Sequence, residues 1–379
     1  MSATGPSQGS PLAAQLLYIK EGNHQSMHPL ESSAIGWLRN EEIRRLFSRQ
    51  LRSTGQNILR EVRARQFPPG FARLLLEALR APGKLLGRPL MRGAEVGVDD
   101  LRGWALSVCL VGASVGEQQI SLLELPQSFW RRIGAAAAAA EFMSVSLDVI
   151  DDVQDGDSKF VQRIGVPLAV NVGVALLELA PLALNHARAA GWLPPIADAA
   201  LDEVHIHLLT SLGGQYLDLR FEERSTIAEA QVLEMTGRKS GTLVALIYRL
   251  GAMAAISETG SRDAAYLDAM GHLGYQMGVW FQLVNDLRDA EQALPGAQKS
   301  DRQRHKKTLP LLLAKRGMIE GTHPAEEQQS LRTQAALSYT YVAAETARLR
   351  AQTALRSIEQ QYGSHRLLWP LLLSTWEQI

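Results

Sequence analysis

Apolar residues recur at helical spacing along almost the whole chain from about residue 35 onward. In the first such segment, Leu38, Ile43, Leu46, Phe47 and Leu51 follow the i, i+3, i+4 pattern of a helix with one buried face. Strict alternation of apolar and polar residues is absent, so the pattern predicts no β-sheet. The predicted helices cover residues 35–62, the segment after Pro68-Pro69-Gly70 up to about 81, 98–117, 127–155, 166–190, 195–221, 228–257, 261–290, 307–318, 325–361 and 366–377.

No linker divides the helical part, and we therefore predict one all-α domain over residues 35–379. Residues 1–34 are rich in Ser, Gly, Gln and Pro. Because such a segment cannot bury a core, we expect a disordered N-terminal tail there. Residues 82–89, which read Pro-Gly-Lys-Leu-Leu-Gly-Arg-Pro, form a turn-rich junction between two predicted helices.

Two short acidic clusters interrupt predicted helices that are otherwise apolar. The first acidic cluster is Asp151, Asp152 and Asp155, with Asp148 one turn before it, and the second is Asn285, Asp286 and Asp289. Each cluster forms a stripe, because residues three and four positions apart are neighbours on a helix. Ionised carboxylates that are brought together in a core repel each other and lose hydration. Hard oxygen ligands on two such stripes therefore predict a Mg²⁺ site.

A site of this kind would suit a diphosphate. Bound Mg²⁺ keeps several waters, accepts phosphate oxygens and neutralises the charge that develops on a departing diphosphate. Lys239, Lys306, Lys84 and Arg88 would complete the clamp as cations. Each of these residues alone is more often a solvated surface charge, and they gain weight only together with the carboxylates.

Bulk composition excludes several other classes of protein. Lys+Arg and Asp+Glu are balanced at 39 each, so no nucleic-acid groove is expected. Cys109 is the one cysteine, which excludes a disulfide framework and favours a reducing compartment. The N-terminus does not resemble a signal peptide. The most apolar stretch, about 169–184, is interrupted by Asn171 and Glu178 and is short for a membrane span. We expect a cytoplasmic protein without a transmembrane segment.

With these motifs the chain resembles the trans-isoprenyl diphosphate synthases, the polyprenyl synthetase family, as a divergent member. The first acidic cluster is similar to the family's D-D-x-x-D motif. Phe281-Gln282 and the second cluster resemble F-Q-x-x-D-D-x-x-D, with Asn285 in place of the leading Asp. The other similar elements are Gly214-Gln215-Tyr-Leu-Asp218-Leu (G-Q-x-x-D-L), Lys239-Ser240 (Lys-Thr) and residues 300–310 (D-x4-K-x-T-L-P). These motifs keep the family order over roughly residues 80–320.

The resemblance implies an isoprenoid-synthase-type bundle of helices around a central cavity, and commonly a homodimer. In that family, Mg²⁺ bridges both motifs to an allylic prenyl diphosphate, which ionises to an allylic cation, and isopentenyl diphosphate attacks the cation. Carried over, the metal ligands would be Asp151, Asp152, Asp155, Asn285, Asp286 and Asp289. Lys239, Gln282 and Lys306 would hold the allylic diphosphate. Asp151, Asp152, Asp155 and Lys239 would be catalytic.

The elements that bind isopentenyl diphosphate in the family are altered in this chain. The G-G-K-R-x-R-P loop keeps Lys84 and Arg88 but lacks its middle Arg, and the family's histidine position is Ser144. The paired-Arg element is reduced to Arg163. A second diphosphate needs about three charge-assisted contacts of roughly 1.5–3 kcal/mol each. Lys84, Arg88 and Arg163 therefore remain the predicted binding residues of a weakened acceptor side.

Three hypotheses about function stay open at this point. The first is a Mg²⁺-dependent prenyltransferase that makes a linear prenyl diphosphate with isopentenyl diphosphate. The second is a terpene synthase, or a prenyltransferase to another acceptor such as a peptide, that uses the same ionisation. The third is a non-catalytic subunit of a heteromeric synthase, which would not need both acidic clusters.

Aromatic and small residues near the motifs bear on the substrate. Five aromatic residues lie near the motifs in sequence: Phe142, Tyr216, Phe221, Trp280 and Phe281. Their rings would either stabilise a carbocation by cation–π attraction or pack in the hydrophobic core. Ser146 and Leu147 occupy the positions where bulky aromatic residues shorten the product in the family. These two residues predict a cavity that stays open beneath the site and a prenyl chain of C15 or longer.

Overall fold

The computed structural model describes residues 39–101, 103–117, 120–156, 158–257, 264–292, 308–315 and 325–373. The predicted tail and Lys306 lie outside these ranges. The described residues form helices and no strands, as predicted. The helices are α1 Glu41–Ala64, α2 Pro69–Leu79, α3 Trp104–Gly116, α4 Gln127–Asp155, α5 Lys159–Ile164, α6 Val166–Ala189, α7 Pro194–Glu222, α8 Glu229–Thr236, α9 Thr242–Ile256, α10 Ala264–Gln292, α11 Leu309–Lys315, α12 Ala325–Tyr362 and α13 Trp369–Leu373.

Helix α4 carries the first acidic cluster and packs against α1, α3, α6 and α9. It has the bounds that the sequence predicts, and its run of alanines at 135–140 combines high helix propensity with small side chains. Small residues also let its neighbours approach closely. A Cβ added at Gly173 of α6 would lie 2.9 Å from Ile150 of α4. Close packing of this kind fixes α4 in the interior of the bundle.

Helix α10 carries the second acidic cluster and packs against α9, α12 and α11. Its apolar residues Met270, Leu273, Met277, Leu283 and Val284 are all buried. They belong to the same hydrophobic core as the buried residues of α4. Both acidic clusters are therefore carried by helices that one core holds in place.

The predicted helix 228–257 is divided in the structure by one π-helical turn, Gly237–Gly241. Two glycines make room for this turn beside α10. A Cβ at Gly237 or Gly241 would come within 2.9 Å of ring atoms of Tyr275. The short helix α5 was not predicted, and residues 98–100, predicted as the start of α3, form a separate 3₁₀ turn.

Among the described residues, three stretches of helix are long and apolar enough to cross a membrane by length and composition alone. Each stretch contains an apolar segment of 18 residues, and these segments differ in how much of them the fold buries. The buried share is 83% in Gln127–Asp155, 72% in Glu229–Ile256 and 39% in Val166–Ala189. The stretch around 169–184 was predicted to be short for a membrane span. That prediction of length was wrong, because the helix that contains the stretch extends over 24 residues. The low burial of Val166–Ala189 leaves a partly exposed apolar helix on the surface.

Candidate active site

A cavity of about 580 Å³, the central cavity, lies between α4, α7, the π-helical turn and α10. Both acidic clusters contribute to its wall, so the structure brings together two sequences that are at least 130 residues apart. The rest of the wall is mixed. Its apolar residues are Trp104, Leu147, Ile150, Leu212, Met235, Leu243, Val244, Phe281 and Val284. The cavity thus combines a group of carboxylates with a lining that is partly apolar and partly polar.

The first acidic cluster occupies the last turn of α4, which ends where Gly156 takes a left-handed conformation (φ 70°). Asp151 and Asp155 border the central cavity. Asp152 instead borders a second cavity of about 930 Å³ between α2, α4 and α5, and Asp151 borders both. Consecutive residues on a helix point in directions about 100° apart, which separates Asp152 from its neighbour.

In the second acidic cluster, Asn285, Asp286 and Asp289 all border the central cavity. Asp286 is 5% exposed, and Gln282 Nε2 donates to its Oδ1 atom over 2.8 Å. Ser240 Oγ in turn donates to Gln282 Oε1 over 2.7 Å. The π-helical turn therefore orients the Asp286 carboxylate through a chain of two hydrogen bonds.

Lys239 projects from the π-helical turn to the first cluster. Its Nζ atom lies 2.8 Å from Asp218 Oδ2 and 3.3 Å from Asp151 Oδ1. Gln215 Nε2 donates to Asp151 Oδ1 over 2.7 Å. Gln215 and Asp218 were not among the predicted site residues. Their spacing of i, i+3 on α7, within the G-Q-x-x-D-L resemblance, is the signal that would have found them.

The residues of the central cavity fit a Mg²⁺ ion by their chemistry. Carboxylate and amide oxygens come from both sides, from Asp151 and Asp155 on α4 and from Asn285, Asp286 and Asp289 on α10. Among the described residues, no three acidic side chains form a ready-made metal cage. In proteins, Mg²⁺ commonly binds through one or two carboxylates, waters and substrate phosphates.

The three predicted acceptor-side cations all have protein partners. Lys84 pairs with Asp148 and donates to Ser144 Oγ over 2.8 Å. Arg88 donates to Asp100 Oδ1 over 2.7 Å and to the Gly83 carbonyl over 2.9 Å. Arg163 pairs with Glu77.

The prediction that these cations form one binding set is therefore not met by the described residues. Lys84 borders the second cavity, whereas Arg88 and Arg163 are absent from the walls of both cavities. The physical reason is that each arginine binds elsewhere in the protein. Arg88 donates to Asp100 and to the Gly83 carbonyl of its own loop. Arg163 lies on the surface helix α5 and pairs with Glu77 of α2.

Glu141 is a buried carboxyl group two turns before Asp148 on α4. Burial raises the pKa of Glu141, against the lowering effects of the Leu85 N–H bond and of the nearby Lys84 and Arg88. Its Oε1 atom accepts from Leu85 N over 2.5 Å. Glu141 thus anchors the turn-rich junction that carries Lys84. Glu141 was not predicted as part of the site, and its sequence signal is a single acid inside an apolar stretch.

Of the aromatic residues considered from the sequence, Phe281 borders the central cavity. Phe142, Phe221 and Trp280 are buried in the core, and Tyr216 is 62% exposed. Trp104 also borders the cavity and was not predicted.

Ser146 and Leu147 were both expected to leave the cavity open beneath the site. Leu147 borders the central cavity, whereas Ser146 does not, so the expectation for Ser146 was wrong. Ser146 is fully buried and donates to the Gly173 carbonyl over 2.8 Å, facing α6. The open space beneath the site therefore depends on Leu147 and not on Ser146.

Comparison with known proteins places this arrangement among prenyl synthases. The sequence model of the family described as Polyprenyl synthetase matches residues 104–337. A geranylgeranyl pyrophosphate synthase of Geoglobus acetivorans is 28% identical over 176 residues, 45% of this chain and 52% of the relative. The tryptophan prenyltransferase ComQ of Bacillus subtilis subsp. natto is 26% identical over 191 residues, 48% of this chain and 55% of the relative.

The alignments thus span about half of the length of these curated relatives. The solved structure of a Geoglobus acetivorans geranylgeranyl pyrophosphate synthetase superposes with a TM-score of 0.67 at 22% identity. That superposition covers 91% of this chain and 98% of the other. At this level of identity the likeness establishes the shared all-α isoprenyl-synthase fold.

Proposed function

The chain belongs to the polyprenyl synthetase family, and on that basis we propose that it is a Mg²⁺-dependent prenyltransferase that uses an allylic prenyl diphosphate as donor. The observation that carries the proposal is that both acidic clusters border one cavity whose wall also includes nine apolar residues. Carboxylates suit the metal that accompanies a diphosphate, and apolar side chains suit the prenyl chain.

Residues from both sides of the cavity would hold the metal and the diphosphate. Asp151, Asp155, Asp286 and Asp289, with the neutral Asn285, would bind Mg²⁺. Bound Mg²⁺ supplies Lewis-acid stabilisation of the departing diphosphate. Lys239 would turn its ammonium group from Asp151 to a phosphate oxygen while Asp218 keeps it in place.

Arg288 adds a second cation to the same wall. It borders the central cavity, and its Nη2 atom is buried without a hydrogen-bond partner among the described residues. A buried donor without a partner carries a desolvation cost, and an anionic oxygen in the cavity would remove that cost. This unused donor supports an anionic ligand beside the second acidic cluster.

The apolar part of the wall would bind the prenyl chain and exclude water from the cation. Phe281 and Trp104 present rings to the cavity, and an aromatic face attracts a cation by about 0.5–2 kcal/mol. Leu147 leaves more space than an aromatic residue would, which supports a donor of C15 or longer. Exclusion of water matters because water would capture the cation as an alcohol.

Two candidate acceptors follow. The family default is isopentenyl diphosphate, which would yield a longer linear diphosphate. The second candidate is an acceptor without a diphosphate, either an internal double bond of the donor or another molecule. The specific observation that favours the second candidate is that Lys84, Arg88 and Arg163 are each paired with a carboxylate of the protein.

Purified protein tests the proposal directly. With Mg²⁺ and farnesyl or geranylgeranyl diphosphate, each supplied with and without isopentenyl diphosphate, we expect diphosphate release, which EDTA abolishes. Longer prenyl diphosphates formed only when isopentenyl diphosphate is present would identify the default acceptor. Hydrocarbon or alcohol products without isopentenyl diphosphate would identify the second candidate. No release from either donor, with activity restored by a partner chain, would contradict the proposal and indicate a non-catalytic subunit.

A further inference from the structure

Asp148 lies on the wall between the two cavities, and it borders both. It precedes the first acidic cluster by one turn of α4 and pairs with Lys84 from the turn-rich junction. The Lys84 side chain is 14% exposed and the Asp148 side chain 62% exposed. The pair therefore joins a sheltered cation to an anion that faces solvent, and Asp148 neutralises the charge of Lys84.

A molecule in the second cavity would lie next to a donor in the central cavity, because Asp148 and Asp151 belong to both walls. The charged residues of the second wall are Arg73, Arg80, Lys84 and Lys159 against Glu77, Asp148, Asp151 and Asp152. Three of these four cations are exposed, and solvent screens the attraction that they exert on an anion. Lys84 is the sheltered one of the four, so its availability decides how well the second cavity binds an anion.

Resting on the prenyl transfer proposed above, we propose that Asp148 is a specificity-determining residue that directs the second cavity to an acceptor without a diphosphate group. A diphosphate would have to displace Asp148 from Lys84, and it would then lie beside a carboxylate that repels it. An apolar acceptor with an alkene or an aromatic ring leaves the ion pair intact.

The transfer to such an acceptor is balanced without a further reagent. A carbon of the acceptor π-system forms the new bond to C1 of the prenyl group. The C1–O bond breaks, and its electron pair leaves with the diphosphate. A proton from the attacked acceptor is then lost to the diphosphate or to water.

The test compares Asp148→Asn with a matched control in binding experiments that need no turnover. Asp268 resembles Asp148 in being an exposed carboxylate (73%) paired with a sheltered cation, Arg249 (15% exposed), away from both cavities. Calorimetric titration with isopentenyl diphosphate at low salt should show about tenfold tighter binding to Asp148→Asn than to the wild type. Asp268→Asn should bind as the wild type does.

Two further measurements distinguish charge from a general structural effect. Adding Lys84→Gln to Asp148→Asn should remove the gain, and high salt should reduce it. Equal binding by the wild type and Asp148→Asn, or an equal gain in Asp268→Asn, would overturn the proposal.

If Asp148→Asn does not fold, binding to the wild-type protein provides the test. Isopentenyl diphosphate should bind it at least about tenfold more weakly than a non-reactive farnesyl thiodiphosphate, and tighter binding overturns the proposal. Release of diphosphate from the donor is measured separately. The absence of that release would contradict the proposed function, whereas the titrations address Asp148 alone.

Discussion

Asp155 occupies the last residue of α4 and faces the central cavity, where its oxygens would bind metal. Asp155→Asn keeps the size of the side chain but removes its charge. We expect the rate of diphosphate release to fall about 10²- to 10³-fold and the Mg²⁺ concentration for half-maximal activity to rise. Steady-state kinetics over a Mg²⁺ series provides the measurement.

Asp198→Asn is the matched control for Asp155→Asn, because Asp198 is an exposed carboxylate on α7 that pairs with Arg188 on the surface. Its kinetics should equal those of the wild type. A nearly normal rate in Asp155→Asn would remove Asp155 from the metal site.

Glu141 predicts a dependence of the molecule's stability on pH. Burial raises the pKa of Glu141 above its ordinary value of 4.5, so between the two values the folded state holds a proton that the unfolded state has lost. The free energy of unfolding should therefore fall as the pH rises above about 4.5. Each unit of pKa difference corresponds to about 1.4 kcal/mol.

Glu141→Gln should remove this contribution while its oxygen still accepts from Leu85 N. Urea unfolding between pH 4 and pH 8 should show a flatter profile for the variant, and a higher stability than the wild type at pH 8. Identical profiles would mean that Glu141 titrates normally.

Residue types and spacing sufficed to find the two acidic clusters, Lys239 and Gln282. They did not reveal which cavity each side chain borders, because that depends on the neighbouring helix. Asp152 borders the second cavity although Asp151 borders both. Arg88 is absent from both cavities because Asp100 and Gly83 bind it.

The π-helical turn shows where helical periodicity stops being informative. Residues 228–257 have an apolar pattern that one continuous helix satisfies, so nothing in the spacing predicts an extra residue in one turn. The cause is tertiary. Tyr275 of α10 fills the space beside Gly237 and Gly241, and Ser211 Oγ of α7 donates to the Lys239 carbonyl over 2.8 Å. Together these contacts aim Lys239 and Ser240 at the cavity.

Two adjacent glycines of α7 test whether the contact with the π-helical turn matters for the site. A Cβ at Gly214 would lie 2.7 Å from the Lys239 Cα atom, whereas a Cβ at Gly213 would meet nothing within 4 Å. Gly214→Ala should therefore destabilise the fold by about 1–3 kcal/mol and lower the rate by displacing Lys239.

Gly213→Ala should stabilise the helix by up to about 1 kcal/mol and leave the rate unchanged. Thermal unfolding and steady-state kinetics of both variants give the comparison. Equal behaviour of the two would show that the turn tolerates displacement.

At the scale of the whole molecule, the all-α class was predictable because long apolar periodic segments without alternation leave no other packing. The family resemblance added the bundle around a cavity, which the superposition with the Geoglobus acetivorans structure supports. Helical periodicity did not predict which apolar residues would stay exposed on the outside of the bundle. Val166, Val170 and Val174 of α6 are 42–50% exposed, and Ile206, Leu209 and Tyr216 of α7 are 60–70% exposed.

These residues form two neighbouring apolar stripes at helical spacing, since α6 packs against α7. Exposed apolar surface of this kind marks an interaction site, and the homodimer that the family resemblance implies would cover it. Leu209→Lys, at the most exposed position (70%), should weaken self-association by about tenfold or more, because the charge would be buried at the interface. Sedimentation velocity over a range of concentrations measures this change.

Val342→Lys on α12, at a position that is 60% exposed, is the matched control and should leave self-association unchanged. A wild type that stays monomeric at high concentration would contradict the homodimer. In that case flotation with lipid vesicles distinguishes a membrane from a protein partner, because Val166–Ala189 is also apolar enough for a bilayer. Loss of flotation in Leu209→Lys, but not in Val342→Lys, would assign the same stripes to lipid.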